Sequence, residues 1–548
     1  IAAITSGLQT VRAVKGGARD FSRVAQTEIT RSTFDRSHGL KTAFDSGYLV
    51  PVELQEVVPS DTVDMDLKVL ARLAPVVTPV MDNVFLDLHA FFVPSRLLWT
   101  NFVKMMGERV NPKDSIDYLV PQIALTGEYR GVGSLADFFG LPVYDGSDGT
   151  VDGTVNVSVL PFRGYQKIWD DWFRDENLQD SVIQSTDELG DTIDDIEKWT
   201  TLRKRGKRHD YFTSALPTPQ KGDAVSLPLG GVSPVFKGSE DIKLHWNDNG
   251  GVSAGIETRA GQERNVLFGM GGSASAADVE YPLQNITGLV ADLSDATAAT
   301  INSLRMAFQL QRLLEKDSRS GTRYGEVIRA HFLTICPDAR LQRSEFLGSS
   351  SIPVNFSPVA QTSVTTDVSP QGNLVATAHA YGNLRFSRSF SEHGYLFVFA
   401  SVRCDLNYQQ GVDRMWSRKG RYDFYWPVFA HLGEQEVLNK EIYFSGVADT
   451  DDDVFGYQER FAEMRYNPSR ITGKLRSGVN GSLDVWHLAQ YFDDLPVLSS
   501  EFIEENPPLD RVLAVTEGEP QIIADFYLGQ KWTRPLPVYS IPGLVDHL

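Results

Sequence analysis

Thr62-Val63-Asp64-Met65-Asp66-Leu67-Lys68-Val69 alternates polar and apolar side chains without interruption. A period of two belongs to a β-strand with one face in a core and the other in water. Residues 84–93 follow, rich in β-branched and aromatic side chains and less cleanly alternating, and predict a second strand. Near the other end, short apolar runs at 354–359, 374–380, 395–402, 442–447 and 521–528 are separated by Gly, Pro, Asn and Asp and read as further strands. Strands drawn from both ends of a chain, with long and partly helical excursions between them, predict an antiparallel Greek-key or jelly-roll sandwich with enlarged loops. A doubly wound α/β sheet would need regular strand-helix alternation, which the sequence lacks.

Three helices are expected in the connections. Pro94-Ser95 opens a short one, with Ser95 as N-cap, Leu98, Phe102 and Met105 on one face, and Gly107 as its stop. Tyr165, Ile168, Trp169, Trp172 and Phe173 have the i, i+3, i+4, i+7, i+8 spacing of an amphipathic helix. A third is expected over 297–316, with Ile301, Leu304, Phe308 and Leu314 facing inward.

The 548 residues are 42% apolar and 22% charged with net charge −19, a globular composition that rules out intrinsic disorder and is long enough for a large core or several domains. The longest apolar run, residues 395–402, is far short of the roughly 20 residues a membrane span needs. The start at Ile1, without an initiator Met or a cationic-then-apolar leader, predicts a processed or truncated N-terminus. Cys336 and Cys404 are the only cysteines, both in apolar surroundings that suit buried, reduced thiols.

Four regions are expected. Residues 1–44 form a basic arm: its first forty-one residues hold Arg12, Lys15, Arg19, Arg23, Arg31, Arg36 and Lys41 against Asp20, Glu28 and Asp35. Residues 45–222 carry the first strands and long helical loops. Residues 223–296, dense in Gly and small polar side chains, read as an exposed insertion. Residues 297–548 carry the remaining strands, loops and the C-terminal segment.

Several motifs invite a chemical reading and fail on context. Gly251-Val252-Ser253-Ala254-Gly255 has the nucleophile-elbow pattern, but no apolar strand precedes it and no amphipathic helix follows. Gly131-Val132-Gly133-Ser134-Leu135-Ala136 resembles a dinucleotide fingerprint without the buried strand, so a short turn of helix is expected. Asp449, Asp451 and Asp453 open like a calcium loop, yet Val454 and Arg460 stand where Gly and Glu belong. The ten histidines form no metal-ligand spacing. No catalytic residue, cofactor or metal ligand is assigned.

Two clusters remain. Arg203-Lys204-Arg205-Gly206-Lys207-Arg208 places five cations in six residues, which suits either phosphate contact or a salt-bridged interface. Tyr422, Phe424, Tyr425 and Trp426 beside Arg418, Lys419 and Arg421 suit either stacking on unpaired bases or packing in a core, and core packing is the expectation.

Ten stretches in unbroken order resemble the major capsid protein of the Microviridae, the small icosahedral single-stranded DNA phages, in their gokushovirus-like branch. They are Arg31-Ser32-Thr33-Phe34-Asp35-Arg36-Ser37-His38, Gly47-Tyr48-Leu49-Val50-Pro51, Phe91-Phe92-Val93-Pro94-Ser95-Arg96-Leu97-Leu98-Trp99 and Arg208-His209-Asp210-Tyr211-Phe212-Thr213-Ser214-Ala215-Leu216-Pro217. They continue with Gly321-Thr322-Arg323-Tyr324, Pro337-Asp338-Ala339-Arg340-Leu341-Gln342-Arg343, Glu392-His393-Gly394, Tyr408-Gln409-Gln410-Gly411, Gly433-Glu434-Gln435 and Phe455-Gly456-Tyr457-Gln458-Glu459-Arg460.

The resemblance implies a mainly β fold with one antiparallel eight-stranded jelly roll, no catalytic activity, and sixty copies in a T=1 icosahedral shell around a circular single-stranded DNA genome. It implies assembly in the bacterial cytoplasm with an internal scaffolding protein, and a virion with a pilot protein, a small basic DNA-binding protein and a host receptor. Residues 223–296 would form an outward protrusion at threefold axes. A subunit of net −19 repels a polyanion, so Arg12, Lys15, Arg19 and Arg23 of the arm are the first candidates for DNA contact, with Arg203, Lys204, Arg205, Lys207 and Arg208 second. The competing readings are a β-rich polysaccharide hydrolase, needing two carboxylates in an aromatic cleft, and a phage adhesin, which would normally show repeats; none is found. Closed megadalton shells, monomers or dimers, and trimers separate the three by mass.

Overall fold

The alternating stretch becomes strand β4, Thr62–Leu73, and every second side chain from Val63 to Leu73 is buried. Around it, the computed structural model describes residues 30–147, 150, 152–223, 225, 301–320, 324–333, 342–365, 370–514 and 519–539, with the short strands Val235–Lys237, Lys243–Leu244, Ile286–Thr287 and Leu289–Ala291. The four arm cations, Cys336, the Gly251 to Gly255 motif and most of 223–296 lie outside the described residues. By contacts along the backbone the chain divides into two units, Ile1–Pro217 with Phe332–Leu548, and Thr218–His331.

Among the described residues, the sandwich of the first unit has ten strands in two sheets. In chain order they are β1 Ser32–Asp35, β2 His38–Phe44, β3 Val50–Val57, β4, β5 Val84–Pro94, β6 Glu345–Pro353, β7 Asn355–Ala360, β8 Leu374–Ser389, β9 Gly394–Cys404 and β10 Ile522–Arg534. One sheet runs β10-β4-β8-β7, with β1 and β2 both pairing on the free side of β10. The other runs β6-β5-β9-β3, and every pairing in both is antiparallel. In the orders β2-β10-β4-β8 and β3-β9-β5-β6 the chain changes sheet at each step from β2 to β5 and again from β8 to β10, the pattern of a jelly roll. The fold is thus the expected antiparallel, mainly β sandwich, and ten strands make up its two sheets.

Between the sheets lies one apolar core: Val63, Met65, Leu67 and Val69 of β4, with Phe526, Leu528 and Trp532 of the neighbouring β10, face Leu86, Leu88 and Ala90 of β5 and Leu396, Val398 and Ala400 of β9. One polar bridge crosses it, where Gln530 donates to Glu53 of β3 at 2.7 Å and accepts from Trp532 Nε1 at 2.6 Å. The outer face of the β4 sheet is exposed, which is why β4 and β10 alternate. The outer face of the β5 sheet is covered by a second core, in which Phe91, Phe397 and Phe399 meet Trp99 and helix α1, Leu160–Ile168. Burial on both faces explains why 84–93 and 395–402 read as continuous apolar runs.

Four sequence expectations need correction. Ser95 caps nothing: Ser95–Leu97 is a 3₁₀ turn entered from Pro94, and a separate helical turn, Phe102–Met105, follows. Segment 442–447 is not a strand, because Glu441 accepts from the Leu438 N–H at 3.0 Å and turns Asn439–Ile442 into helix. Four strands are not among the expected ones: β3, β6, and β1 with β2, where residues 32–44 of the expected arm are drawn into the sheet by pairing with β10. In the second unit, helix α2 spans Ile301–Ser320, and Phe308, expected inward, is 64% exposed. Helix α1 appears as expected and passes into a π turn, Trp169–Phe173. Ser134 caps Leu135–Phe138 by accepting from the Asp137 N–H at 3.3 Å, the expected turn of helix.

Candidate functional site

The basic segment 203–208 is an extended strap between two other backbones. Leu49 N–H donates to the Arg203 carbonyl at 2.9 Å, Arg205 N–H to that of Gly47 at 2.9 Å, and Lys207 N–H to that of Ile503 at 2.7 Å. The approach is close enough to require glycine at Gly47, whose φ is +81° and whose added Cβ would sit 2.2 Å from the Glu505 carbonyl oxygen. With φ positive, an L side chain is strained there whatever the space.

The strap's cations turn inward. Arg205 reaches Asp87 of β5 at 2.8 Å and Ser401 of β9 at 3.0 Å. Arg403 of β9 meets the same Asp87 oxygen at 2.7 Å, and Ser351 donates to its other oxygen at 2.5 Å. Asp87 is buried; burial alone would raise its pKa, but the Ser351 hydrogen bond and the two guanidiniums outweigh it and hold the carboxyl below its ordinary value. Arg203 donates to Gln166 at 2.9 Å and lies over Trp169. Lys207 donates to the Phe502 carbonyl at 2.6 Å and sits over that ring. Lys204 stands 5.3 Å over Tyr48, and Arg208, with its side chain 60% exposed, is 3.6 Å from Asp405. Three of the five cations thus tie the strap within the subunit, Arg205 to the sandwich, Arg203 to α1 and Lys207 to the segment at Phe502, while Arg208 faces solvent.

Glu505 closes this network. Fully buried beside Cys404, it is driven up to about pKa 7 by burial, against the pull of Arg205 and Lys207. His89, on β5 two residues from Asp87, is lowered to about 4 by burial and by the Arg205 charge. The unfolded chain releases the Glu505 proton near pH 4.3. Between there and pH 7 the folded state therefore holds the extra proton and loses stability as pH rises. Glu505→Gln, which keeps the acceptor for Cys404 N–H, is expected to remove this loss. The variant's melting temperature should gain on wild type from pH 4.5 to 7 and hold a constant lead above pH 7.5. A pH-independent difference would contradict the assignment.

The aromatic segment contradicts the expectation of core packing: Trp416, Tyr422, Phe424, Tyr425 and Trp426 are 41–73% exposed. Asp451, from the calcium-like run, is buried and accepts from Ser445 N–H and Oγ, both at 2.8 Å, closing a turn. Cys404 is a buried free thiol. No direct signal for Asp87 or Glu505 stands in the sequence, although a lone Asp inside the apolar run of β5 is a visible anomaly.

No helix among the described residues is long and apolar enough to cross a membrane. Residues 22–544 match the family described as capsid protein (F protein). The chain is 44% identical to the capsid protein VP1 of Bdellovibrio phage phiMH2K, over 95% of its own length and 97% of that protein's. It is 41% identical to the capsid protein VP1 of Chlamydia phage 1 over 96% and 97%, and 37% identical to that of Spiroplasma virus 4 over the same shares. This likeness over nearly the whole chain marks a structural capsid protein rather than an enzyme. The chain belongs to the capsid F-protein family of Microviridae-type phages, whose members build the virion shell.

Proposed function

We propose that sixty copies close a T=1 icosahedral shell around a circular single-stranded DNA, with the N-terminal arm on the inner wall. The observation that carries this reading is the charge asymmetry: a chain of net −19 concentrates Arg12, Lys15, Arg19, Arg23 and Arg31 against Asp20 and Glu28 in the residues ahead of β1. Enclosing a polyanion requires positive charge inside, and an arm supplies it without base-specific geometry. Arg12, Lys15, Arg19 and Arg23 are the proposed contacts. In the 203–208 cluster the proposal narrows to Lys204 and Arg208, since Arg203, Arg205 and Lys207 donate hydrogen bonds within the subunit while Arg208 stays 60% exposed and Lys204 only overlies Tyr48.

Assembly in the bacterial cytoplasm, with an internal scaffolding protein, suits the reduced Cys404. A pilot protein, a small basic DNA-binding protein and a host receptor complete the proposed partners. Residues 223–296 are proposed to lie on the particle exterior as a threefold protrusion, their small polar side chains being unable to build a core layer.

The test neutralises Arg12, Lys15, Arg19 and Arg23 together and compares filled with empty particles by density. A fall in filled particles of severalfold, with a weaker salt dependence of genome release, is expected. Unchanged DNA content and salt dependence would remove the arm from the inner wall. Native mass of the wild-type particle checks the copy number in the same preparation.

A further inference from the structure

We infer that the aromatic strap from Met415 to Val428 is a contact surface between copies of this chain in the shell. It leaves the apolar core for three short 3₁₀ turns, Arg414–Ser417, Arg421–Asp423 and Pro427–Phe429. Along it Trp416 is 73% exposed, Tyr422 66%, Phe424 53% and Val428 83%. With aromatic side chains of about 150–250 Å² each, the strap shows water on the order of 600 Å² of mostly apolar surface. A standard protein interface buries about 800 Å² per partner. A face of this size marks an interaction site.

The strap is rigid. Asp423 accepts from Lys419 N–H at 2.8 Å and Gly420 N–H at 2.7 Å, and Trp426 Nε1 donates to the Arg421 carbonyl at 3.0 Å. Tyr425 packs edge-on against Phe461 at 5.0 Å, and Tyr422 against Phe429 at 6.0 Å. Side chains fixed in advance lose little entropy on binding, and Trp, Tyr and Arg are the residues that dominate interface energetics.

Unpaired DNA bases fit this surface less well. Arg414 is committed to Glu441 at 2.8 Å and Arg418 to Glu463 at 3.1 Å, so these charges are not free for phosphate. The Arg418 guanidinium lies 5.9 Å over Phe424 and that of Arg421 5.1 Å over Trp426, taking from a base one face of each of these two rings. A shell of identical subunits supplies its own occupant, because each copy needs contact faces for its neighbours.

The test is hydroxyl-radical oxidation of Met415 and Trp416, read by mass spectrometry on unassembled subunits, DNA-filled particles and empty particles. The inference expects fast oxidation in the subunit and at least fivefold slower oxidation in both particles. Protection in filled particles alone would assign the strap to DNA and overturn it. Equal reactivity in all three, or protection already in the free subunit, would overturn it as well. Trp416→Ser with Tyr422→Ser tests the consequence: a folded subunit, melting within a few degrees of wild type, should yield at least tenfold fewer closed particles when expressed with the other phage genes. Particle yield equal to wild type would count against the inference.

Discussion

Asp87→Ala is expected to destabilise the subunit by about 3–5 kcal/mol, because it strips the shared anion from two guanidiniums inside the protein. Asp87 sits in the middle of β5, and its three partners come from three other segments: Arg205 of the strap, Arg403 of β9 and Ser351 of β6. Without the carboxylate, Arg205 and Arg403 repel each other next to neutral His89, and the strap loses its tie to the sheet. Urea unfolding of the purified subunit measures the loss. Adding Arg205→Leu and Arg403→Met to Asp87→Ala should recover a large part of it, since removing the three linked charges together is far milder than orphaning two of them. A loss below 1 kcal/mol in the single variant would show that water already neutralises the site.

Gly47→Ala is the second large effect, expected at roughly 3 kcal/mol or more from left-handed strain combined with overpacking. The added methyl would meet a backbone carbonyl, which cannot rotate away as a side chain does. The displaced segment is the one carrying Glu505, so the damage should spread to the buried network. Circular dichroism melting of the variant checks the size of the effect, and restored proton uptake by Glu505 near pH 4.5 would mark the loosened site.

The legible parts of this fold were those where one physical cause acts alone. Strands β4 and β10 have one wet face, so their alternation stands in the sequence. The amphipathic face of α1 is equally plain, from Tyr165 to Trp169. Strand β6, Glu-Phe-Leu-Gly-Ser-Ser-Ser from Glu345 to Ser351, was missed because small polar residues there are held by pairing with β5 rather than by burial. The helical turn at Asn439–Ile442 depends on one side-chain acceptor, Glu441, which no periodicity reveals. The basic strap was legible as charge but not as structure. Its anions, Asp87 and Glu505, lie roughly 120 and 300 residues away along the chain, and only the fold brings them together. For the aromatic strap composition misled, since the same rings suit a core or an interface and only exposure separates the two.

The position of β10 has a further effect, on synthesis. It is an interior strand of its sheet, lying between β2 and β4, with Thr533 paired to Thr62. At roughly 5–20 residues per second of translation, β4 waits on the order of half a minute or more for this partner. A ribosome that stops anywhere before Ile522 releases a chain whose β2 and β4 have no strand between them and whose Met65 and Leu67 have lost Phe526 and Trp532. Truncated copies therefore fail at the sandwich itself, before any contact with a neighbour, and the growing shell is protected from defective subunits by the order in which its strands are made.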